Sequence, residues 1–307
     1  MIIDYRHEPR EGEEKRVTWR DMIGNASVKR NLLQLFLWPA KYPAEFTGLL
    51  APQEGLLPFG PPRNGKTMAA KAVASKCKAT FFNVDAASFG SKWFGDSEKM
   101  VKALFEVARE RAPSIIFMDE VDGIMPASGA DLGFGSQALN RIKAELLVQL
   151  DGLPTTADRV QVIGATNRPW DIDVALLNRL PIRTYVPLPD QEGRAALFRK
   201  LLGTNTRGHT LTDDDFDHVA IKTEGYSYRD LTKLCREAAY VSVREALMTD
   251  DVDECLEDES EAVMALRSRR SLQVNKVLTA AQKIKPTTHP QLIARLEDWK
   301  NEYAEQT

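Results

Sequence analysis

The chain has 307 residues, enough to bury a substantial core in one large domain or two modest ones. A formal charge of −3 excludes the overall basic signature of a nucleic-acid binder, and no apolar stretch approaches the length of a membrane-spanning helix, which points to a soluble chain. Three well-separated cysteines (Cys77, Cys235 and Cys255) give no disulfide frame and no metal-ligand spacing with the four histidines, as in a reducing compartment.

Residues 1–16 read as a polar lead-in. From 17 to 189, short apolar runs alternate with helical segments, the order of a parallel α/β sheet. The expected strands are GLLPF (55–59), TFFNVD (80–85), SIIFMD (114–119), RVQVIGAT (159–166) and RTYVPL (183–188), five in all with helices on both faces. SEKMVKALFEVARER (97–111) is an expected helix whose Met100, Leu104, Val107 and Ala108 share a face. Beyond Pro189 the β signal stops, and 190–270 reads as a small all-helical unit. The acidic run DDVDECLEDESE (250–261) reads as a solvated connection. Residues 271–307 predict two helices split at Pro286–Pro290, the second with an apolar stripe of Leu292, Ile293, Leu296 and Trp299.

GPPRNGKT (60–67) fits G-x-x-x-x-G-K-T between a strand and a helix, the context expected of a phosphate-binding loop. Gly60, Pro61, Pro62, Arg63, Asn64, Gly65, Lys66, Thr67 and Met68 are therefore the candidate nucleotide cradle. Its backbone amides and the positive helix N-terminus favour phosphate. Lys66 is expected to meet the β- and γ-phosphates, and Thr67 to ligate Mg²⁺. IIFMDEVD places Asp119 and Glu120 at the carboxyl end of an apolar strand, where open α/β sheets bind ligands. Asp119 is the candidate Mg²⁺ holder and Glu120 the group that orients and deprotonates water. A third strand ends in GATNRP, where Asn167 is placed to hydrogen-bond the water or the γ-phosphate.

Three such motifs in this order resemble the AAA ATPases, with their P-loop NTPase fold and helical lid. VTWRDMIGNASVKRNLLQLFLWPAKYPAEFTGL, TFFNVDAASFGSKWFGDSEKMVKALFEVARERAPSIIFMDEVD and ATNRPWDID are similar to the microtubule-severing group of spastin, katanin and fidgetin. Asn64, the FFN strand and the tail KVLTAAQKIKPTTHPQLIARLEDWKNEY resemble the spastins most. The resemblance covers nearly the whole chain from about Val17, which reads as a catalytic cassette, truncated or naturally short. It implies ATP and Mg²⁺ as cofactors and a ring, as a homo-hexamer or with other AAA subunits. It also implies tubulin or microtubules as partner through acidic C-terminal tails, and a cytoplasmic, cytoskeleton-associated place. Lys92, Trp93 and Phe94 match the family's first pore loop, where the aromatic grips the substrate chain, and Lys92 with Arg141 and Lys143 would line the pore with positive charge that suits an acidic tail.

Several positions depart from the family's pattern. Arg63 stands where the loop usually has glycine, which threatens strain if φ is positive, unless the side chain simply points outward. Pro58 replaces leucine in the preceding strand and removes a ladder donor. Of two adjacent arginines that reach the neighbouring subunit's nucleotide, Arg179 holds the second position but Asn178 the first. Tyr228 and Arg229 in GYSYRDL replace small residues near the base and ribose, and Asn140 replaces a pore arginine beside Arg141. Three readings stay open: an ATP-hydrolysing severing enzyme, a weakly catalytic scaffold subunit of such rings, and, from LNRLPIR, an extractase for membrane proteins.

Overall fold

The computed structural model of the chain describes residues 1–7, 16–51, 55–85, 97–127, 136–153, 160–205, 211–247 and 273–303. Its strands are β1 (Ile2–Asp4), β2 (Gly55–Phe59), β3 (Thr80–Asp85), β4 (Ser114–Asp119), β5 (Val160–Gly164) and β6 (Ile182–Tyr185). They form a six-stranded sheet in the order β1-β3-β4-β5-β2-β6. The five expected strands pair in parallel. β1 adds an antiparallel edge, with Ile2 opposite Phe82 and Asp4 opposite Thr80.

The helices are α1 (Ala26–Leu32), α2 (Trp38–Lys41), α3 (Lys66–Cys77), α4 (Ser97–Glu110), α5 (Val121–Ile124), α6 (Ser136–Asp151), α7 (Val174–Arg179), α8 (Gln191–Asn205), α9 (Asp213–Lys222), α10 (Tyr228–Leu247), α11 (Val274–Lys283) and α12 (Pro290–Tyr303). A π-helical turn, Leu33–Leu37, joins α1 to α2. Contacts divide the chain into two compact units. One holds Met1–Pro61, Gly65–Pro187 and Pro290–Thr307; the other holds Pro62–Asn64 with Leu188–His289.

In the first unit, strand alternation sends side chains to two cores, one on each face of the sheet. Leu57, Phe59, Phe82, Ile116 and Met118 face one core; Leu56, Phe81, Ile115, Phe117 and Ile163 face the other. Burying each of these side chains contributes about 1.5–3 kcal/mol. α4 turns a slightly different face inward than expected. Val101, Phe105 and Ala108 are fully buried, Leu104 and Val107 flank them, and Met100 is exposed. The helix carries apolar residues at so many adjacent positions that periodicity alone leaves its inward face free to rotate by one residue.

The apolar stripe of α12 lies in this unit's own core. Leu296 and Trp299 are buried, the Trp299 ring meets the Phe59 ring edge-on at 4.6 Å, and the Arg295 guanidinium covers the Trp170 ring at 3.8 Å. α12 therefore braces the last residue of β2, the strand that delivers the phosphate loop.

Pro58 leaves a visible mark on that strand. β2 pairs with β6 without a break from Leu56 to Phe59, but with β5 only at Gly55 and Leu56, resuming as a single bridge between Phe59 and Thr166. The register Gly55↔Val162 places Pro58 opposite Ala165. The Pro58 carbonyl accepts from the Thr166 N–H at 3.3 Å, so the donor that proline lacks would have faced β5. Pro58→Leu is expected to restore this rung and raise stability by about 1 kcal/mol, read as the urea midpoint of unfolding at unchanged slope.

The second unit is helical in its described residues. Buried Arg194 donates to the carbonyls of Ala220 at 2.8 Å and Pro189 at 2.8 Å, tying α8 to the end of α9. Asp230 near the start of α10 accepts from the Ser227 hydroxyl at 2.8 Å and the Thr287 hydroxyl at 3.0 Å. Cys235 is buried, Cys77 half-buried, both are free thiols, and burial pushes them up to about 12 and about 11 respectively. No described helix is long and apolar enough to cross a membrane.

Candidate functional site

Strand order explains why three motifs far apart in sequence meet. β5 lies between β4 and β2, so GPPRNGKT after β2, Asp119–Glu120 after β4 and Asn167 after β5 all leave the carboxyl edge of three neighbouring strands.

The loop itself is shaped by backbone demands. A Cβ on Gly60 would stand 2.2 Å from the Val186 carbonyl oxygen, so only glycine fits there. Arg63 has φ 66°, in the left-handed region, and its side chain is exposed. The backbone of Arg63 takes a glycine-like turn at a cost of about 1–2 kcal/mol even though its side chain is exposed, so an outward side chain does not remove the backbone strain. Asn64 is buried, with its Nδ2 lacking a partner, while its Oδ1 accepts from the Tyr228 N–H at 3.4 Å within the second unit. Gly65 begins α3, and the first residue of that helix is Lys66.

Lys66 is 6% exposed, so its ammonium depends on the oxygens around it. It donates to the Gly60 carbonyl at 2.9 Å, the Pro61 carbonyl at 2.8 Å and Asn167 Oδ1 at 2.7 Å. Burial pushes it down to about 8, against the opposing pull of the Asp119 and Asp122 charges. Thr67 Oγ1 donates to Asp119 Oδ2 at 2.9 Å. A hydroxyl and a carboxylate side by side are hard oxygen donors of the kind that hold Mg²⁺. Glu120 has φ 52° and ψ 50°, and its N–H donates to Asp119 Oδ1 at 3.0 Å. A non-glycine residue in that conformation is a strained position of the sort found at functional sites.

Arg179 lies at the end of α7 and forms a two-pronged ion pair with Asp151 at the end of α6, Nε to Oδ1 at 2.8 Å and Nη2 to Oδ2 at 2.7 Å. That hydrogen bonding holds the Asp151 carboxyl below its ordinary value. Asn178 is exposed. Arg141 is also exposed, with Glu98 at 3.7 Å. Lys143 is turned elsewhere: its ammonium donates to the Pro126 carbonyl at 2.7 Å and lies 3.7 Å from Asp173. Lys92, Trp93 and Phe94 lie outside the described residues. Tyr228 is buried in the second unit, and Arg229 beside it is exposed.

Three contributors had no separate signal in the sequence. Asp151 lies 28 residues from the arginine it holds. Asp122 and Thr166, inside quoted motifs, meet across 44 residues through a hydroxyl-to-carboxylate hydrogen bond of 2.6 Å.

A parallel sheet that presents a glycine-shaped loop, a buried lysine and a threonine–aspartate pair at one edge defines a phosphate-loop nucleotide-binding protein. Residues 56–188 match the model of the ATPase family associated with various cellular activities (AAA), and residues 213–258 match that of the AAA+ lid domain. A solved FIGL-1 AAA domain in complex with ADP superposes with a TM-score of 0.79 at 37% identity, over 95% of this chain and 93% of that one. The chain belongs to the AAA ATPase family, of the spastin and katanin type. It is 43% identical to spastin of Anopheles gambiae over 294 residues, 95% of this chain and 34% of that protein. It is 46% identical to the A-like 2 form of the katanin p60 ATPase-containing subunit of Xenopus tropicalis over 231 residues, 74% of this chain and 43% of that protein. The chain thus spans between about a third and a half of the length of these two relatives. Membership of this family implies ATP binding.

Proposed function

We propose that the chain is an ATP-hydrolysing, ring-forming motor that threads a polypeptide through its pore and severs microtubules by extracting tubulin. The observation that carries this reading is the meeting of Lys66, Thr67, Asp119, Glu120 and Asn167 at one edge of the sheet. The site fits ATP and Mg²⁺. Gly60 leaves the loop backbone clear, and Thr67 with Asp119 supplies hard oxygens. Thr67 and Asp119 would hold Mg²⁺, which would supply positive charge against the negative charge that develops on the phosphates.

The chain's own residues divide the remaining work. Lys66 exchanges its present carbonyl partners for phosphate oxygens, and Thr67 and Asp119 hold the metal. Glu120 takes the proton of the attacking water, and Asn167 fixes that water or the γ-phosphate. Arg179 serves the site of a neighbouring subunit. Trp93 with Lys92, Phe94 and Arg141 grips the translocated chain, and the acidic tails of tubulin are the substrate class that suits those charges. The trans role of Arg179 requires a neighbouring subunit, and the same reading assembles the chain as a hexamer, alone or with other AAA subunits. A katanin chain solved as the structural basis for katanin self-assembly is similar to this one, with a TM-score of 0.75 at 32% identity. A cytoplasmic, cytoskeleton-associated place belongs to the same reading.

A second reading is a weakly catalytic ring subunit. It is favoured by the left-handed Arg63, by Asn178 in place of an arginine, and by Arg179 being paired with its own chain's Asp151. ATP turnover measured against protein concentration, with and without microtubules, decides between them. A motor shows turnover that rises more steeply than concentration and increases with microtubules. Flat, negligible turnover with intact nucleotide binding establishes the second reading.

The state of Lys66 gives a separate expectation. Binding phosphate favours the ammonium, so above about pH 8 the free site must take up a proton to bind. Nucleotide affinity is therefore expected to weaken as pH rises through that value, approaching tenfold per unit. Titration with a fluorescent ADP analogue from pH 7 to 9.5 checks this, and a Lys66→Arg chain, whose charge does not titrate, shows no such step in its remaining affinity.

A further inference from the structure

Thr166 ties its own strand end to the strand that precedes the phosphate loop and to the turn that follows β4. It is 1% exposed, its N–H donates to the Pro58 carbonyl at 3.3 Å, and its hydroxyl donates to Asp122 Oδ1 at 2.6 Å. The same hydroxyl accepts from the Arg168 N–H at 2.9 Å. Asn167 is thus flanked by the residue that owns the hydroxyl and the residue whose amide the hydroxyl holds. Its side-chain position toward Lys66 follows from how firmly those two neighbours are fixed.

Glu120 is bracketed in a similar way. On one side, Asp119 is tied to Thr67 and to the Glu120 amide. On the other, the Val121 N–H donates to the Ala165 carbonyl at 3.1 Å and Asp122 receives the Thr166 hydroxyl. A left-handed glutamate persists only where its surroundings over-determine it, and these bonds are the anchors on its far side. The short hydroxyl-to-carboxylate distance is that of a charge-assisted bond, the strong class.

We propose that Thr166 and Asp122 form a positioning pair, which holds Glu120 and Asn167 in mutual register so that water is aligned between them. Neither residue touches the phosphates; each acts through its neighbours. This role rests on the hydrolytic reading given above, and its experiment separates the two.

The full-length chain carries Thr166→Val, which keeps the shape and removes the hydroxyl, Thr166→Ser, which keeps it, or Asp122→Asn, which retains an accepting oxygen without the charge. Three measurements are compared: amide hydrogen exchange at Val121 and Arg168, the Kd of a fluorescent ADP analogue with Mg²⁺, and kcat against KM for ATP. Thr166→Val is expected to speed exchange at both amides by about tenfold or more and to lower kcat by about 10- to 100-fold. Kd and KM stay within about threefold, as expected where ground-state binding is left alone. Thr166→Ser restores both the exchange and kcat. Unchanged exchange in Thr166→Val, an equal loss of Kd and kcat, or failure of serine to rescue overturns the pair. If Thr166→Val does not fold, Asp122→Asn carries the same readouts, with exchange faster at Arg168 and kcat reduced; wild-type values there overturn the proposal. If the wild-type chain shows no turnover, the hydrolytic reading fails, and the exchange arm still decides whether the pair holds this loop.

Discussion

Glu120→Gln is expected to lower ATP turnover by about 10²- to 10⁴-fold while nucleotide binding persists. The expectation comes from how the residue is presented. Asp119 is committed to Thr67 and to the Glu120 amide, so its carboxylate is placed to hold a metal rather than to take a proton. Glu120 is exposed at the edge of the sheet, and its carboxylate has no partner among the described residues. A carboxylate at the mouth of a phosphate site, left without a structural duty, is free to accept a proton from water. Glutamine matches its shape and can still orient the water, but it cannot take the proton. Its backbone remains in the left-handed conformation, so stability changes little. The checks are single-turnover hydrolysis, which collapses, and the Kd of a fluorescent ADP analogue, which does not. Hydrolysis at the wild-type rate in Glu120→Gln overturns the assignment of the base.

The parts of this architecture that read clearly from sequence are those with local signals. Each of the five parallel strands overlaps a short apolar run picked out in sequence, although the last, expected at 183–188, runs Ile182–Tyr185, and the one expected at 159–166 runs Val160–Gly164. The phosphate loop declares itself through fixed spacing, and Lys66 and Thr67 follow from it. β1 escaped because Ile2–Asp4 is too short to show a period and is held by β3 alone, through pairings that sequence does not reveal. The inward face of α4 shifted because its apolar residues are too many to select one stripe. Pro58 was legible as a missing donor, yet which neighbour lost the rung depended on the strand order, which only the fold supplies. Lys143, placed toward the pore by the resemblance, donates within the chain to the Pro126 carbonyl, a contact that sequence does not reveal. Asp122 with Thr166 and Asp151 with Arg179 are long-range pairs between residue types that also occur at ordinary helix ends and turns. Nothing local distinguishes them until the strands and helices bring them together.

Arg179→Ala is expected to lower turnover of the assembled protein by about 10³-fold, the scale of an arginine supplied in trans, without weakening nucleotide binding by the dilute chain. Arg179 lies at the end of a six-residue helix, and both prongs of its guanidinium are held by Asp151. For this arginine to reach a neighbouring subunit's nucleotide, that exposed pair must open. Its partners are accessible to water, so opening costs little compared with breaking a buried pair. The neighbouring position is different in kind. Asn178 is exposed and carries no charge, so Arg179 is left as the cation of its helix that can serve the trans site. Asn178→Arg therefore places a second guanidinium on an open helix face, away from the hold of Asp151, and is expected to raise concentration-dependent turnover. The double change, Asn178→Arg with Arg179→Ala, shows whether the two positions substitute for each other. If Arg179→Ala costs nothing and Asn178→Arg creates turnover where the wild type has almost none, the chain as it stands is a nucleotide-binding ring member rather than a motor. A large loss in the first and a modest gain in the second establish that one arginine suffices, with Asn178 setting the rate below that of a paired finger.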